Sequence, residues 1–257
     1  MSTSHGQFVW CELMTTDPAS AIAFYGAVIG WSAKEADVPD LHYMILSAGE
    51  VPVGGVMELC LSARDAGARP GWIGHIAVDD VDAVVARACD AGGAIRHAAE
   101  DIPGIGRFAV VSDPQGAVFV LFKPLEARQR PRAAANTPGH LGWRELNAAD
   151  REAAFTFYAD LFGWTKADAI DMGEKGLYQM FAIGGVPAGG IMTAGEAKPG
   201  PFWLYYFNVD DIGAAVARVK ESGGQVVNGP HQVPGGSWIA HCLDPQGVPF
   251  AVVAPDR

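Results

Sequence analysis

Two glutamates and one histidine are the side chains of this sequence whose setting points to chemistry. Glu12 follows Trp10 by two residues in FVWCELM, and Glu145 follows Trp143 by two in LGWRELN. Side chains alternate along a strand, so each tryptophan and its glutamate share a face. A carboxylate among apolar rings is costly to bury and its pKa tends to rise. Such a group could accept a hydrogen bond from a ligand hydroxyl, balance an amine, or act as a general base. The structural alternative is a salt bridge to an arginine such as Arg144 or Arg107, or satisfaction of backbone donors at a strand end. His241 lies on the same side of its hairpin as Ala251, and its counterpart in the other half of the chain is Val110. If one half is catalytic, this asymmetry favours the half with His241; the bland reading is a hydrogen-bonded filler.

These residues sit in a repeated framework. FVWCELMTTDPASAIAFYGAVIGW (8–31) aligns without gaps on LGWRELNAADREAAFTFYADLFGW (141–164), and 70–124 aligns on 201–255, where DPQGAVFVLFKP is matched by DPQGVPFAVVAP. A period of domain size indicates tandem duplication rather than a solenoid. The expected organisation is a first domain at 1–125, a connector at 126–139 rich in Arg, Ala and Pro, and a second domain at 140–257. In each copy a short aromatic and β-branched strand leads to an Asp cap and a helix, predicted over about 18–29 with a stop at Gly30. HYMILSA and VPVGGVME read as strands. WIGHIAV leads through Asp79-Asp80 to a second helix, VDAVVARACDAGG, and FAVVSD, the Asp-Pro-Gln-Gly turn and AVFVLFK close the unit as a hairpin. Each copy is thus two βαβββ modules, an α+β arrangement. The paired glycines of VPVGGVM and VPAGGIM are expected to be tight turns that let strands curve.

Composition narrows the partners. The 257 residues are 49% hydrophobic, enough for a real core, and the formal charge of −11 argues against nucleic acid and anionic membranes. No apolar run of about 18 residues and no signal-peptide pattern is present, so a cytoplasmic protein is expected. Cys11, Cys60, Cys89 and Cys242 show no C-x-x-C spacing and are expected to be free thiols.

The order W-x-E-L-x-x-x-D-x(6)-FY-x(4)-GW, V-D-D-V-D, GG and DPQG resembles the vicinal oxygen chelate superfamily: glyoxalase I, extradiol dioxygenases, and the fosfomycin and bleomycin resistance proteins. The likeness covers nearly the whole chain and is nearest to the two-domain glyoxalase-like proteins of actinobacteria often labelled hydroxylases. It implies curved mixed sheets forming cups, each with a divalent metal on its floor. The positions it assigns to metal ligands are Trp10 and Trp143, Trp72 and Trp203, and Val120 and Ala251. None carries a nitrogen, oxygen or sulfur donor suited to a divalent metal. The expectation is therefore a protein without metal or other cofactor, whose cups, lined by the four tryptophans with Tyr43, Tyr205, Phe108, Val120 and Ala251, hold a hydrophobic or aromatic small molecule such as an antibiotic or secondary metabolite. The alternative is a cofactor-independent isomerase, lyase or hydroxylase-like enzyme using Glu12, Glu145 or His241 as acid–base. His75 and Tyr206 are expected to face the helices, and His42, Tyr43, Tyr178 and Gln179 to form a rim. Modules could pair within or between copies, and because one chain supplies two cups a dimer is not required.

Overall fold

A computed structural model describes residues 4–37, 42–65, 67–125, 133–134, 136–194 and 200–255. Most of the expected connector, 126–132 and 135, lies outside the described residues. The first copy comprises β1 (Phe8–Thr15), α1 (Pro18–Ile29), β2 (Ser32–Glu35), β3 (Tyr43–Ala48), β4 (Val51–Glu58), a short α2 (Leu61–Asp65), β5 (Gly71–Ala77), α3 (Val81–Asp90), β6 (Ala94–Ile102), β7 (Gly106–Ser112) and β8 (Val118–Pro124). The second repeats it with β9 (Leu141–Ala148), α4 (Arg151–Phe162), β10 (Thr165–Asp171), β11 (Leu177–Ile183), β12 (Val186–Thr193), β13 (Phe202–Asn208), α5 (Ile212–Glu221), β14 (Gln225–Gln232), β15 (Trp238–Leu243) and β16 (Pro249–Ala254). Each copy forms a mixed eight-stranded sheet, in the order β2-β3-β4-β1-β5-β8-β7-β6 and its exact repeat in the second copy.

Local chemistry fixes the helices as the sequence implies. The Asp17 carboxylate accepts the Ser20 amide at 3.0 Å ahead of Pro18, and Gly30 ends the helix at φ 88°, a left-handed conformation that glycine adopts without a Cβ penalty. Asp150 and Gly163 (φ 71°) do the same for α4. Asp80 and Asp211 cap α3 and α5 through the Ala83 and Ala214 amides.

The compact units of the core do not coincide with the copies. One consists of the described residues of Met1–Trp10, Ile73–Pro131 and Arg144–Trp203; the other, those of Cys11–Trp72, Arg132–Trp143 and Leu204–Arg257. Each unit therefore joins the first module of one copy to the second module of the other, while hydrogen-bonded sheet order follows the copies.

Within each unit the repeated motifs meet in a buried hydrogen-bond chain. The Trp72 indole N–H donates to the Tyr25 hydroxyl at 2.9 Å, and that hydroxyl lies 3.3 Å from Asp244 Oδ2. In the other unit Trp203 donates to Tyr158 at 3.1 Å and Tyr158 to Asp113 at 3.1 Å. Each Asp also accepts two backbone amides of its own DPQG turn, from Gln115 and Ala117 or from Gln246 and Val248. Burial raises the pKa of both carboxyls, opposed by those amides. The FY pair, the DPQG turn and the β5/β13 tryptophan recur because in each unit the indole N–H, the tyrosine hydroxyl and the aspartate meet one another in the core. Among the described residues no helix is long and apolar enough to cross a membrane.

Candidate functional site

Strand parity decides which residues leave the core. On β5, Trp72 and Ile76 are buried at 7% and 0% exposure, and Trp72 packs on Tyr25, Trp31 and Phe207. Trp203 is buried against Tyr158, Trp164 and Phe8. These two tryptophans fill the core and do not line cups. The expected placement was inverted: a step of three along a strand changes face, so His75 and Tyr206 lie opposite Trp72 and Trp203. Tyr205 shares the core face with Trp203 and is fully buried, which removes it from a ligand-facing set as well.

The opposite face carries two constellations. The first is repeated. Trp10 and Glu12 on β1 are half-buried, and their strand neighbours Cys11 and Leu13 are core. Glu12 pairs in register with Gly55 of β4, and the Tyr43 side chain of β3 lies directly over that glycine with its hydroxyl donating to the Glu12 carboxyl. In the second copy Glu145 pairs with Gly190, under the ring of Tyr178. The paired glycines are thus not turns. All four are mid-strand, and at the second of each pair, Gly55 and Gly190, the missing side chain admits a tyrosine ring, while Gly54 and Gly189 lie against the Cys11 and Arg144 carbonyls. A Cβ at Gly55 or Gly190 would overlap the tyrosine. Gly55→Ala is therefore expected to expel Tyr43 from Glu12 and lower stability by about 1–3 kcal/mol, as overpacking does, read by chemical denaturation; unchanged stability would show that the ring has no fixed seat there.

The two glutamates differ in their neighbours. Burial pushes Glu12 up to about 7, against the opposing hydrogen bond from Tyr43. Glu145 is only 6% exposed and receives the Asn147 amide at 3.1 Å; the position equivalent to Asn147 in the first copy is Met14. Of the arginines considered as partners, Arg107 binds Asp82 and Asp101, while Arg144 donates to the Ala188 carbonyl and lies over the Phe8 ring.

The second constellation is a row across β5 or β13 and the closing hairpin. In the first copy His75, Val120 and Val110 stand abreast, with Phe108 next along β7 on the same face, stacked at 5.3 Å on His97. Burial pushes His75 down to about 3, so it is neutral. In the second copy the row is Tyr206, Ala251 and His241, and Tyr206 Oη stands 2.9 Å from His241 Nε2. His241 and Ala251 share a side, as their spacing implies. Val120 and Ala251 are 3% and 0% exposed, so they form the floor of this face rather than an open wall. Of the expected rim, His42 is exposed beside Glu35 at 3.1 Å, whereas Gln179 is buried and bonds the Ala167 carbonyl.

The metal implied by the sequence resemblance finds no fit. Trp10, Trp143, Val120 and Ala251 offer no donor, Trp72 and Trp203 face the core, and among the described residues no cluster of three or more His, Cys, Asp or Glu could hold an ion.

Comparison with known proteins places this geometry. The family model "Glyoxalase/Bleomycin resistance protein/Dioxygenase superfamily" matches residues 7–121 and again 138–252. CFP32 of Mycobacterium tuberculosis is 32% identical over 96% of this chain and 94% of its own length. The anthracycline biosynthesis protein DnrV of Streptomyces peucetius is also 32% identical, over 96% of this chain and 93% of its own. Among solved structures, the Mn(II)-bound glyoxalase from Novosphingobium aromaticivorans superposes with a TM-score of 0.62 at 16% identity, covering 98% of this chain and 82% of that one.

Proposed function

We propose, for a chain that belongs to the Glyoxalase/Bleomycin resistance protein/Dioxygenase superfamily, that it binds a hydrophobic or aromatic small molecule, an antibiotic or secondary metabolite, without a metal. The observation that carries this reading is the repeated Trp-x-Glu strand, with a half-buried tryptophan and a carboxyl beneath a tyrosine seated on glycine. Such a surface offers flat apolar area with one polar anchor, the usual make-up of small-molecule sites. The four positions that the resemblance assigns to ligands and that share this face, Trp10, Trp143, Val120 and Ala251, offer no donor, which supports binding without a metal. The likeness to an anthracycline biosynthesis protein supports the ligand class. The reading places the protein in the cytoplasm, which suits the free thiols of Cys11, Cys60, Cys89 and Cys242.

A hydroxylated anthraquinone should quench tryptophan emission in a saturable way, equally before and after dialysis against EDTA. Trp10→Ala and Trp143→Ala should each weaken binding roughly 2–10-fold, the worth of one aromatic stack. Elemental analysis showing about one transition-metal ion per copy, with binding lost in EDTA, would overturn the metal-free reading. Absence of any saturable quenching would overturn binding itself. A second reading, a cofactor-independent acid–base enzyme, is favoured by Glu12, whose carboxyl at about 7 is matched to proton transfer near neutral pH. Turnover of a candidate metabolite that disappears in Glu12→Gln would establish it, and binding without turnover would exclude it for that metabolite.

A further inference from the structure

The glutamine side chain of each DPQG turn reaches into the opposite copy, to the junction where the strand carrying Trp-x-Glu runs into its helix. Gln115 accepts the Asp150 amide at 2.7 Å and donates to the Asp150 carbonyl at 2.8 Å. Gln246 donates to the Asp17 carbonyl at 3.0 Å, and its oxygen receives the Thr16 amide and hydroxyl at 3.3 and 3.0 Å together with the Thr15 hydroxyl. The backbone partners fix the direction of each amide, since a carbonyl only accepts and a peptide N–H only donates. Turn and junction belong to the same compact unit in both cases. Thr15 is fully buried at the end of β1, and its own carbonyl accepts the Leu59 amide at 2.8 Å. The end of β1 is therefore held from two directions, by the chain leaving β4 and by a side chain of the other copy.

We infer that these glutamines are positioning residues for the Trp-x-Glu faces of the opposite copies, Gln246 for Glu12 and Tyr43, and Gln115 for Glu145 and Tyr178. Glu12 to Thr15 form one parallel ladder with Gly55 to Glu58. Removing the Gln246 amide takes the acceptor from the buried Thr15 hydroxyl, a loss that the strand end relieves by moving. A movement at Thr15 is carried along that ladder to Glu12 and to the tyrosine ring seated on Gly55. In the second copy Ala148 and Ala149 stand where the first has the two threonines, so Gln115 holds its junction through the Asp150 backbone alone. The ladder from Glu145 to Ala148 against Gly190 to Thr193 is otherwise the same, and its dependence on the clip should be weaker. Each face is thus built on one copy and aligned by the other. The functional meaning of that alignment rests on the binding reading above, to which it adds the residues that hold the anchors in place.

The test is fluorine NMR of the intact chain grown with fluorotyrosine, the Tyr43 and Tyr178 lines being assigned by Tyr43→Phe and Tyr178→Phe. Gln246→Ala should shift or broaden the Tyr43 line and leave the Tyr178 line in place. Gln115→Ala should do the reverse, by a smaller amount. A glutamine that served only the hairpin carrying it would disturb its own copy, and a general loss of stability would disturb both, so neither produces the crossed pattern. Should an alanine variant fail to fold, Gln246→Asn or Gln115→Asn, which keeps the amide but draws it back by one carbon, reads the same lines. Any pattern other than the crossed one overturns the inference and leaves the binding reading standing. That reading is scored separately, by adding the hydroxylated anthraquinone to the unaltered protein: displaced Tyr43 and Tyr178 lines support it, and lines that ignore the anthraquinone overturn it, and with it the functional meaning of the alignment, whatever the glutamine variants do.

Discussion

Trp72→Ala and Trp203→Ala are each expected to destabilise the fold by about 3–5 kcal/mol, the usual cost of truncating a packed aromatic. For a chain of this length that corresponds to roughly 6–20 °C in melting temperature. Two effects add. The cavity left among Tyr25, Trp31 and Phe207, or among Tyr158, Trp164 and Phe8, has no side chain to fill it. The indole N–H that met the tyrosine hydroxyl is also gone. Trp10→Ala and Trp143→Ala, on the half-buried face, should cost far less stability while weakening ligand binding. Thermal melts of the four variants, with Trp31→Ala and Trp164→Ala as core references, separate the classes. If all four melt alike, the division of tryptophans by face is wrong.

Glu12→Gln is expected to raise stability above neutral pH and leave it unchanged in acid. The folded pKa of Glu12, about 7, lies above the ordinary value of 4.5, so the folded state holds this proton more tightly than the unfolded chain. The stability it contributes is complete below about pH 4.5 and is lost as pH rises through 7, because the folded state must then carry a buried carboxylate. Glutamine keeps the shape and cannot ionise. At pH 8 the variant should therefore exceed the parent by about 1–3 kcal/mol, the lower end allowing for partial exposure of the side chain. Urea denaturation at pH 4, 6 and 8 reads the difference directly, and taking parent and variant together cancels Asp113 and Asp244, whose raised pKa values act in the same sense. Parallel curves across that range would mean that Glu12 ionises in the folded protein as it does in water.

Most of the fold was legible because it rests on local rules. Asp17-Pro18 and Gly30 mark the first helix whatever lies beyond, and the gap-free match of 8–31 to 141–164 shows the duplication without any structure. The candidate site was legible only in part. Trp10 and Glu12 were legible because they share a face of one strand, which alternation alone predicts. Trp72 was misplaced because its face depends on strand parity counted from a motif rather than from a core neighbour, and one residue of register reverses every side chain on a strand. The Tyr43–Gly55 and Tyr178–Gly190 contacts were invisible, since nothing local tells a glycine that turns the chain from one that makes room for a ring two strands' width of sequence away. The exchange of modules in the compact units depends on packing between distant segments, which no spacing encodes.

The tyrosine-to-aspartate bonds have a consequence for the history of the chain. Tyr25 finds its aspartate in the second copy and Tyr158 finds its aspartate in the first. With the same arrangement, a polypeptide holding only one copy would meet this aspartate in an identical partner about a twofold axis. Fusion turns that encounter into an intramolecular one, with an effective concentration no dissociation can dilute. It also lifts the symmetry requirement. In a homodimer every substitution appears twice, whereas here Asn147 could be acquired opposite a methionine, and Tyr206 with His241 opposite a histidine and a valine, each altering one half while the other kept its own residues.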